Sequence, residues 1–260
     1  MNRFLVLPVI LFLLVCLSLA ANAQLIMNPS SSCSPGGIEL SPSIAYSEIE
    51  YKGKDDEDAG NVKVKRYLTG LNGAWGVNDW FDIYASLGFI AKAEPDPDEG
   101  NWDDNGNGFI SAAGIRGVNF ENDYISVMSY AQLSFISEDY GETSETATDD
   151  TGTSKISVET SAEIFDVALG AIVKGYVADR FSLYGGLEFI PYSDGKAKYS
   201  TKIEHSGSAI EDHDLSDKIE RDKLFTLRLG ANYELEQWLL RGEIGLISET
   251  SVLLGAGFLF

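Results

Sequence analysis

Few residues in this chain have the type and spacing to do chemistry, and most of them are oxygen donors. Asp103-Asp104-Asn105-Gly106-Asn107-Gly108-Phe109-Ile110-Ser111 follows the opening of an EF-hand loop. Asp103, Asn105 and Asn107 would offer side-chain oxygens, Gly108 the sharp turn and Phe109 a backbone carbonyl. An all-oxygen donor set points to a hard cation, calcium. Gly114 stands where such a loop needs a bidentate glutamate, so a carboxylate must be borrowed from Asp96, Asp98 or Glu99. A metal-free turn rich in Asn, Gly and Asp explains the same residues. No other cofactor is implied.

The two histidines are His205 and His213. Glu211-Asp212-His213-Asp214 sets carboxylates beside an imidazole, and Asp96-x-Asp98 offers an acid pair. A solvated histidine in a polar stretch is the commoner arrangement. G-x-S-x-G, H-E-x-x-H and P-loop patterns are missing, so enzymatic activity is not expected. A net charge of −21 argues against nucleic acid as a partner.

A third group consists of charges embedded in apolar, alternating segments: Asp82, Arg116, Asp166, Lys174, Glu188, Arg228, Arg241 and Glu243. Acids and bases balance, and charges in such surroundings need partners. They are expected to form a salt-bridged network in the interior of whatever the segments build. Arg241 is expected to pair with a nearby carboxylate, Glu243 or an acid on a neighbouring strand.

The segments read as strands. Phe81, Ile83, Ala85, Leu87 and Phe89 share one face, and Asp82, Tyr84, Ser86 and Gly88 the other. Phe181, Leu183, Gly185, Leu187 and Phe189 alternate with Ser182, Tyr184, Gly186 and Glu188 in the same way. Similar stretches are 38–51, 62–75, 109–119, 125–136, 158–176, 225–233, 239–247 and 252–260, which makes about ten strands. Eight or twelve remain open, since strand boundaries are the least certain part of such a reading.

The connections alternate in length. Residues 52–61, 93–108, 137–154 and 192–222 form long ones; 77–79, 121–123, 178–180 and 236–237 form short ones. Only the last hairpin, at 248–251, is short where a long one is due. The long connections hold 24 of the 40 acidic residues. Tight turns on one side and long loops on the other suit an outer-membrane barrel better than a soluble sandwich.

The termini agree. Arg3, an apolar run over 5–19 and Ala21-Asn22-Ala23 have the layout of a secretory signal peptide over residues 1–23, followed by a flexible leader over 24–36. The barrel is expected over 37–260. Cys33 is the one cysteine left after cleavage before Gln24, so an internal disulfide is excluded. The phrase Val77-Asn78-Asp79-Trp80-Phe81-Asp82-Ile83-Tyr84 returns as Val177-Ala178-Asp179-Arg180-Phe181-Ser182-Leu183-Tyr184. It reads as a repeated hairpin whose turn is closed by Asp.

Val252-Leu253-Leu254-Gly255-Ala256-Gly257-Phe258-Leu259-Phe260 is an alternating strand stopping on Phe. With the hairpin phrase and the signal peptide, it resembles bacterial outer-membrane β-barrel proteins of the small porin-like and opacity-protein-like kinds. The resemblance implies an all-β, antiparallel up-and-down transmembrane barrel in the outer membrane, reached through the secretory pathway. It implies lipid and lipopolysaccharide as surroundings, and recognition by the barrel-assembly machinery through the strand ending in Phe260. The grouping around His213 is loosely similar to omptins, surface proteases of this shape, but Glu211 stands where their pattern has Asp. The expected role is structural or surface-interaction, with acidic loops displayed from a largely filled barrel. A narrow porin-like channel is the alternative, and a rim protease is the weaker one.

The mature protein is expected to begin at Gln24. Mass measurement of the protein extracted from outer membranes checks this, and a full-length chain in the inner membrane would contradict it.

Overall fold

The computed structural model describes residues 35–54, 61–96, 106–149, 152–205, 208–247 and 249–260. The expected signal peptide and most of the leader lie outside them. In chain order the strands are β1 (Ile38–Gly53), β2 (Val62–Asn78), β3 (Phe81–Asp96), β4 (Gly106–Glu121), β5 (Ile125–Asp149) and β6 (Gly152–Ala178). They continue with β7 (Phe181–His205), β8 (Ser208–Arg221), β9 (Phe225–Leu235), β10 (Trp238–Ile247) and β11 (Glu249–Leu259).

β1 to β7 pair in sequence order, β7 then pairs with β9, and β9, β10 and β11 follow, with β11 returning to β1. Of the 11 strands only β8 stands outside this closed ring, so the barrel wall has ten. Closure is a necessity in lipid, where an open edge would leave peptide groups without partners. At the seam Phe260 donates its N–H to the Ile38 carbonyl at 2.9 Å.

Period-two alternation turns one side of each strand outward. Leu71, Ile83, Leu87, Leu133, Leu169, Leu187 and Leu229 are exposed on the outside of the ring. Aromatic residues bound this apolar band. Trp75, Trp80, Tyr124, Trp238 and Phe260 are exposed at the turn end. At the loop end Tyr46 and Tyr67 lie 4.6 Å apart, Phe109 and Phe135 5.8 Å, Phe165 and Tyr192 6.2 Å, and Phe189 and Phe225 4.8 Å. Paired girdles of this kind mark the two faces of a bilayer.

Two of the turns are closed by asparagine rather than by the aspartate beside it. Asn78 Oδ1 accepts the Trp80 N–H at 2.9 Å, and Asn122 Oδ1 accepts those of Tyr124 and Ile125 at 2.8 and 2.9 Å. The side chain mimics a backbone carbonyl two residues before the donor. The repeat also has a packing reason. Tyr84, Tyr130 and Tyr184 point inward from β3, β5 and β7, and their register partners are Gly114, Gly170 and Gly230. Each ring lies flat over its glycine. A Cβ at Gly230 would stand 2.3 Å from the Tyr184 ring, and one at Gly170 2.2 Å from that of Tyr130.

Two expected loops are largely strand. β5 and β6 extend through 137–149 and 152–154, and 192–222 contains the end of β7 and all of β8. A crossing needs only about 9–11 residues, whereas β5, β6 and β7 have 25, 27 and 25. Beyond the girdle both faces of a strand meet water, so apolar–polar alternation fades and these segments look like polar loops. β8 also accounts for the short last hairpin. Over residues 219–221 it pairs with β1 at Tyr51–Gly53, directly beyond the Ile49–Glu249 pair of β1 and β11. The β10–β11 hairpin thus stops where β8 takes over the wall. Ten strands close the membrane tier, and β1 to β8 close a second ring on the loop side.

Gly230→Ala is expected to displace Tyr184 and destabilise the refolded barrel by about 1–3 kcal/mol, as overpacking does. Gly117→Ala, whose Cβ would meet nothing nearer than 3.7 Å, should stay within about 0.5 kcal/mol. Urea unfolding of both variants checks the contrast.

Candidate functional site

The inward side chains fill the barrel with charge pairs at several heights. All eight charges expected to form a lumen network lie buried inside the wall. Near the turn end Arg116 gives Asp82 two hydrogen bonds, from Nη2 at 2.6 Å and Nε at 2.9 Å. Arg241 pairs with Glu39 of β1. Its partner is thus across the β11 strand and is not Glu243, whose side chain is taken by Arg228. Lys174 lies 4.8 Å from the centre of the Tyr176 ring and 3.9 Å from Glu234.

Arg228 forms the middle of the network. It donates to Glu188 at 2.7 Å and to Glu243 at 2.8 Å, so one guanidinium separates two carboxylates. Tyr130 donates to Glu188 at 2.7 Å and Tyr184 to Glu243 at 2.8 Å. The tyrosines locked over glycines therefore orient the acids that hold the arginine.

Towards the loop end Arg221 reaches Asp166 at 2.8 Å and Glu249 at 3.3 Å. Arg66 pairs with Glu138, donating to its Oε2 at 2.7 Å, and to the Tyr51 hydroxyl at 3.1 Å. Tyr140 donates to the same carboxylate at 2.6 Å. Packed among these groups is a continuous apolar cluster. It includes Ile49, Leu68, Ile90, Ile110, Ile136, Ile164 and Leu253, with Ile219 of β8 against it. The strands β1 to β6 and β11 contribute its buried side chains and β8 packs against it, so the cluster forms an apolar collar inside the wall.

Five interior charges escaped sequence reasoning: Glu39, Arg66, Glu138, Arg221 and Glu249. Glu138 and Arg221 fell in stretches taken for loops. The usable signal was parity, since Gln132, Ser134, Ile136, Glu138 and Tyr140 continue one inward face of β5.

Asp103 and Asn105 of the expected calcium loop lie outside the described residues. Asn107 and Phe109 belong to β4, opposite Asp139 and Ser137 of β5, and Gly108 is paired with Glu138. The backbone there is extended, without the turn an EF-hand loop needs. Among the described residues no three His, Cys, Asp or Glu side chains are grouped to hold a metal. His213 is an exposed residue of β8 opposite Thr201. Beside it, Asp214 accepts a hydrogen bond from Ser200 at 2.9 Å. Of the acid pair, Asp98 lies outside the described residues.

No family model matches the chain. No curated protein matches it either. Solved structures do. The outer membrane protease OmpT of Escherichia coli aligns over 90% of this chain and 99% of its own, with a TM-score of 0.50 and 9% identity. The fold is that of the bacterial outer-membrane β-barrels. The COG4313 outer membrane channel of Pseudomonas putida F1 aligns over 90% of this chain and 100% of its own, at 12% identity and a TM-score of 0.45. The attachment invasion locus protein Ail of Yersinia pestis aligns over 85% and 98%, at 16% and 0.33. The apolar band and the shared fold place this barrel in the outer membrane.

Arg228→Met should destabilise the barrel by about 3–5 kcal/mol, because Glu188 and Glu243 would be left buried beside each other without a cation. Lower urea stability of the variant, partly restored in Arg228→Met with Glu243→Gln, is the expected result.

Proposed function

We propose that the protein is a closed barrel without catalytic role that carries a sheet of long strands to the cell surface, where it serves a structural or surface-interaction function. The observation that carries this is the apolar collar. Side chains from seven strands meet in one buried cluster inside the barrel, and Ile219 of β8 packs against it. Such a packed layer, with the neighbouring charges held in pairs, leaves water and ions little room to pass. The charge pairs support the same reading, since their guanidinium groups are committed to carboxylates at 2.6–3.3 Å. Those carboxylates are accordingly poor candidates for acid–base work.

The surroundings follow from the outer wall. Just beyond the loop-end girdle Lys63, Lys65, Lys196, Lys198 and Lys218 are interleaved with Glu48, Glu50 and Glu163. Glu163, for example, accepts from Lys198 at 2.7 Å. This mixture suits the phosphates and divalent cations of a lipopolysaccharide leaflet. The β11 strand ending at Phe260, exposed at the seam, suits recognition by the barrel-assembly machinery after export.

Planar-bilayer recording on the refolded mature protein is the test. The expected result is no stable single-channel current. Large, steady current steps would show an open lumen and support the narrow-channel alternative.

A further inference from the structure

Outside the membrane β5, β6, β7 and β8 outgrow their neighbours and stand as a four-stranded sheet. β1 stops at Gly53 and meets β8 only over Ile219–Arg221, whereas β7 accompanies β8 from Ile219 to Ser208. The peptide groups show which way β8 faces. The Lys218 carbonyl accepts the Lys54 N–H at 2.9 Å, and Asp222 donates its N–H to Glu50 at 3.0 Å. Along a strand these groups alternate between the two edges. Those of Ser216 and Asp214 therefore point to the β1 side, where, among the described residues, no strand pairs with them. This is an open sheet edge beyond the bilayer.

The face beside that edge carries exposed apolar side chains. Leu215 is 65% exposed, and its register partner on β7 is Tyr199. Ile156 of β6, 42% exposed, lies opposite Ile203 on the same face. The sequence of the edge beside Leu215 is acidic, with Asp214 and Asp217, both exposed. A second copy would set like charges against each other along the ladder, and a net charge of −21 adds to that repulsion.

We propose that the β8 edge is a docking site for an extended, basic segment of a partner protein, added as a strand beside β8 where β1 leaves off. The main-chain groups of Asp214 and Ser216 supply the ladder, as in strand addition generally. Alternate apolar side chains of the segment cover Leu215 and Tyr199, and lysine or arginine between them meets the acids. The proposal rests on the barrel being a closed display platform, and the recording described above tests that separately.

The experiment uses the full mature chain refolded in detergent and a labelled peptide of alternating lysine and valine, followed by fluorescence anisotropy. Alternating lysine–serine and glutamate–valine peptides are the controls. The lysine–valine peptide should bind and both controls should bind more weakly. Ser216→Pro removes a donor on the open edge but none on the β7 ladder, and should weaken binding about tenfold, the equivalent of one or two hydrogen bonds. Leu215→Ser, which leaves the ladder intact, should weaken it similarly. Absence of binding overturns the proposal. So does binding that the serine peptide matches or that Ser216→Pro leaves unchanged, which would be charge attraction alone. Dimers in native mass spectrometry that Ser216→Pro abolishes would overturn it in favour of a second copy.

Discussion

A bilayer core offers no hydrogen-bonding partner, so every peptide N–H and C=O that enters it must be matched within the chain. For a chain of strands the only solution is a ring, and the pairing of β11 with β1 supplies it. The rest of the structure follows from that closure. It sets an outside that must be apolar and an inside that lipid never touches. It also explains why a strand can carry Arg228 or Glu188 on one side and Leu187 or Leu229 on the other. Where the bilayer ends the requirement lapses. There β9, β10 and β11 stop, while β5, β6, β7 and β8 continue as a sheet whose β8 edge is unpaired beyond Lys218 among the described residues.

The interior answers two different physical demands. A buried ion pair adds little stability over well-packed apolar groups, but breaking one costs about 3–5 kcal/mol. The pairs of Arg116, Arg228 and Arg221 therefore act chiefly on register. A slip of one residue would turn a guanidinium towards lipid and leave its carboxylates alone. The collar supplies the opposite contribution. Each fully buried leucine or isoleucine adds about 1.5–3 kcal/mol, and Ile49, Leu68, Ile90, Ile110, Ile136, Ile164 and Leu253 gather in one cluster. The charge pairs act on register, and the apolar collar adds packing stability.

The tyrosine–glycine pairs connect these demands to the repeat in the chain. Tyr84 and Tyr184 occupy the same place in the two copies of the hairpin phrase, and each lies over a glycine of the next strand in the ring. At Tyr184 the hydroxyl continues to Glu243 and so to Arg228. A motif that looks like common turn chemistry in the sequence also orients the charge network through contacts nearly 60 residues apart (59 for Tyr184 and Glu243).

The sequence by itself determined the membrane tier. Alternation in 81–91 and 181–190, short turns and the run ending at Phe260 were enough to read about ten antiparallel strands in a lipid wall. That information is local, because each strand must present one apolar and one polar face wherever it sits in the ring. Even the parity of Asp82, Glu188 and Arg228 was visible. What the sequence did not carry was partnership and everything outside the bilayer. Arg241 chose Glu39, 202 residues away, because ring closure brings β1 beside β11. The end of β7 and all of β8 looked like a loop because water on both faces removes the pressure for alternation. The collar was hidden as well, since Ile90, Ile136 and Ile164 read as ordinary apolar residues until the ring turned them towards one another. Pairing across a closed sheet depends on shear and register, which are properties of the whole ring, and only the tertiary structure decides them.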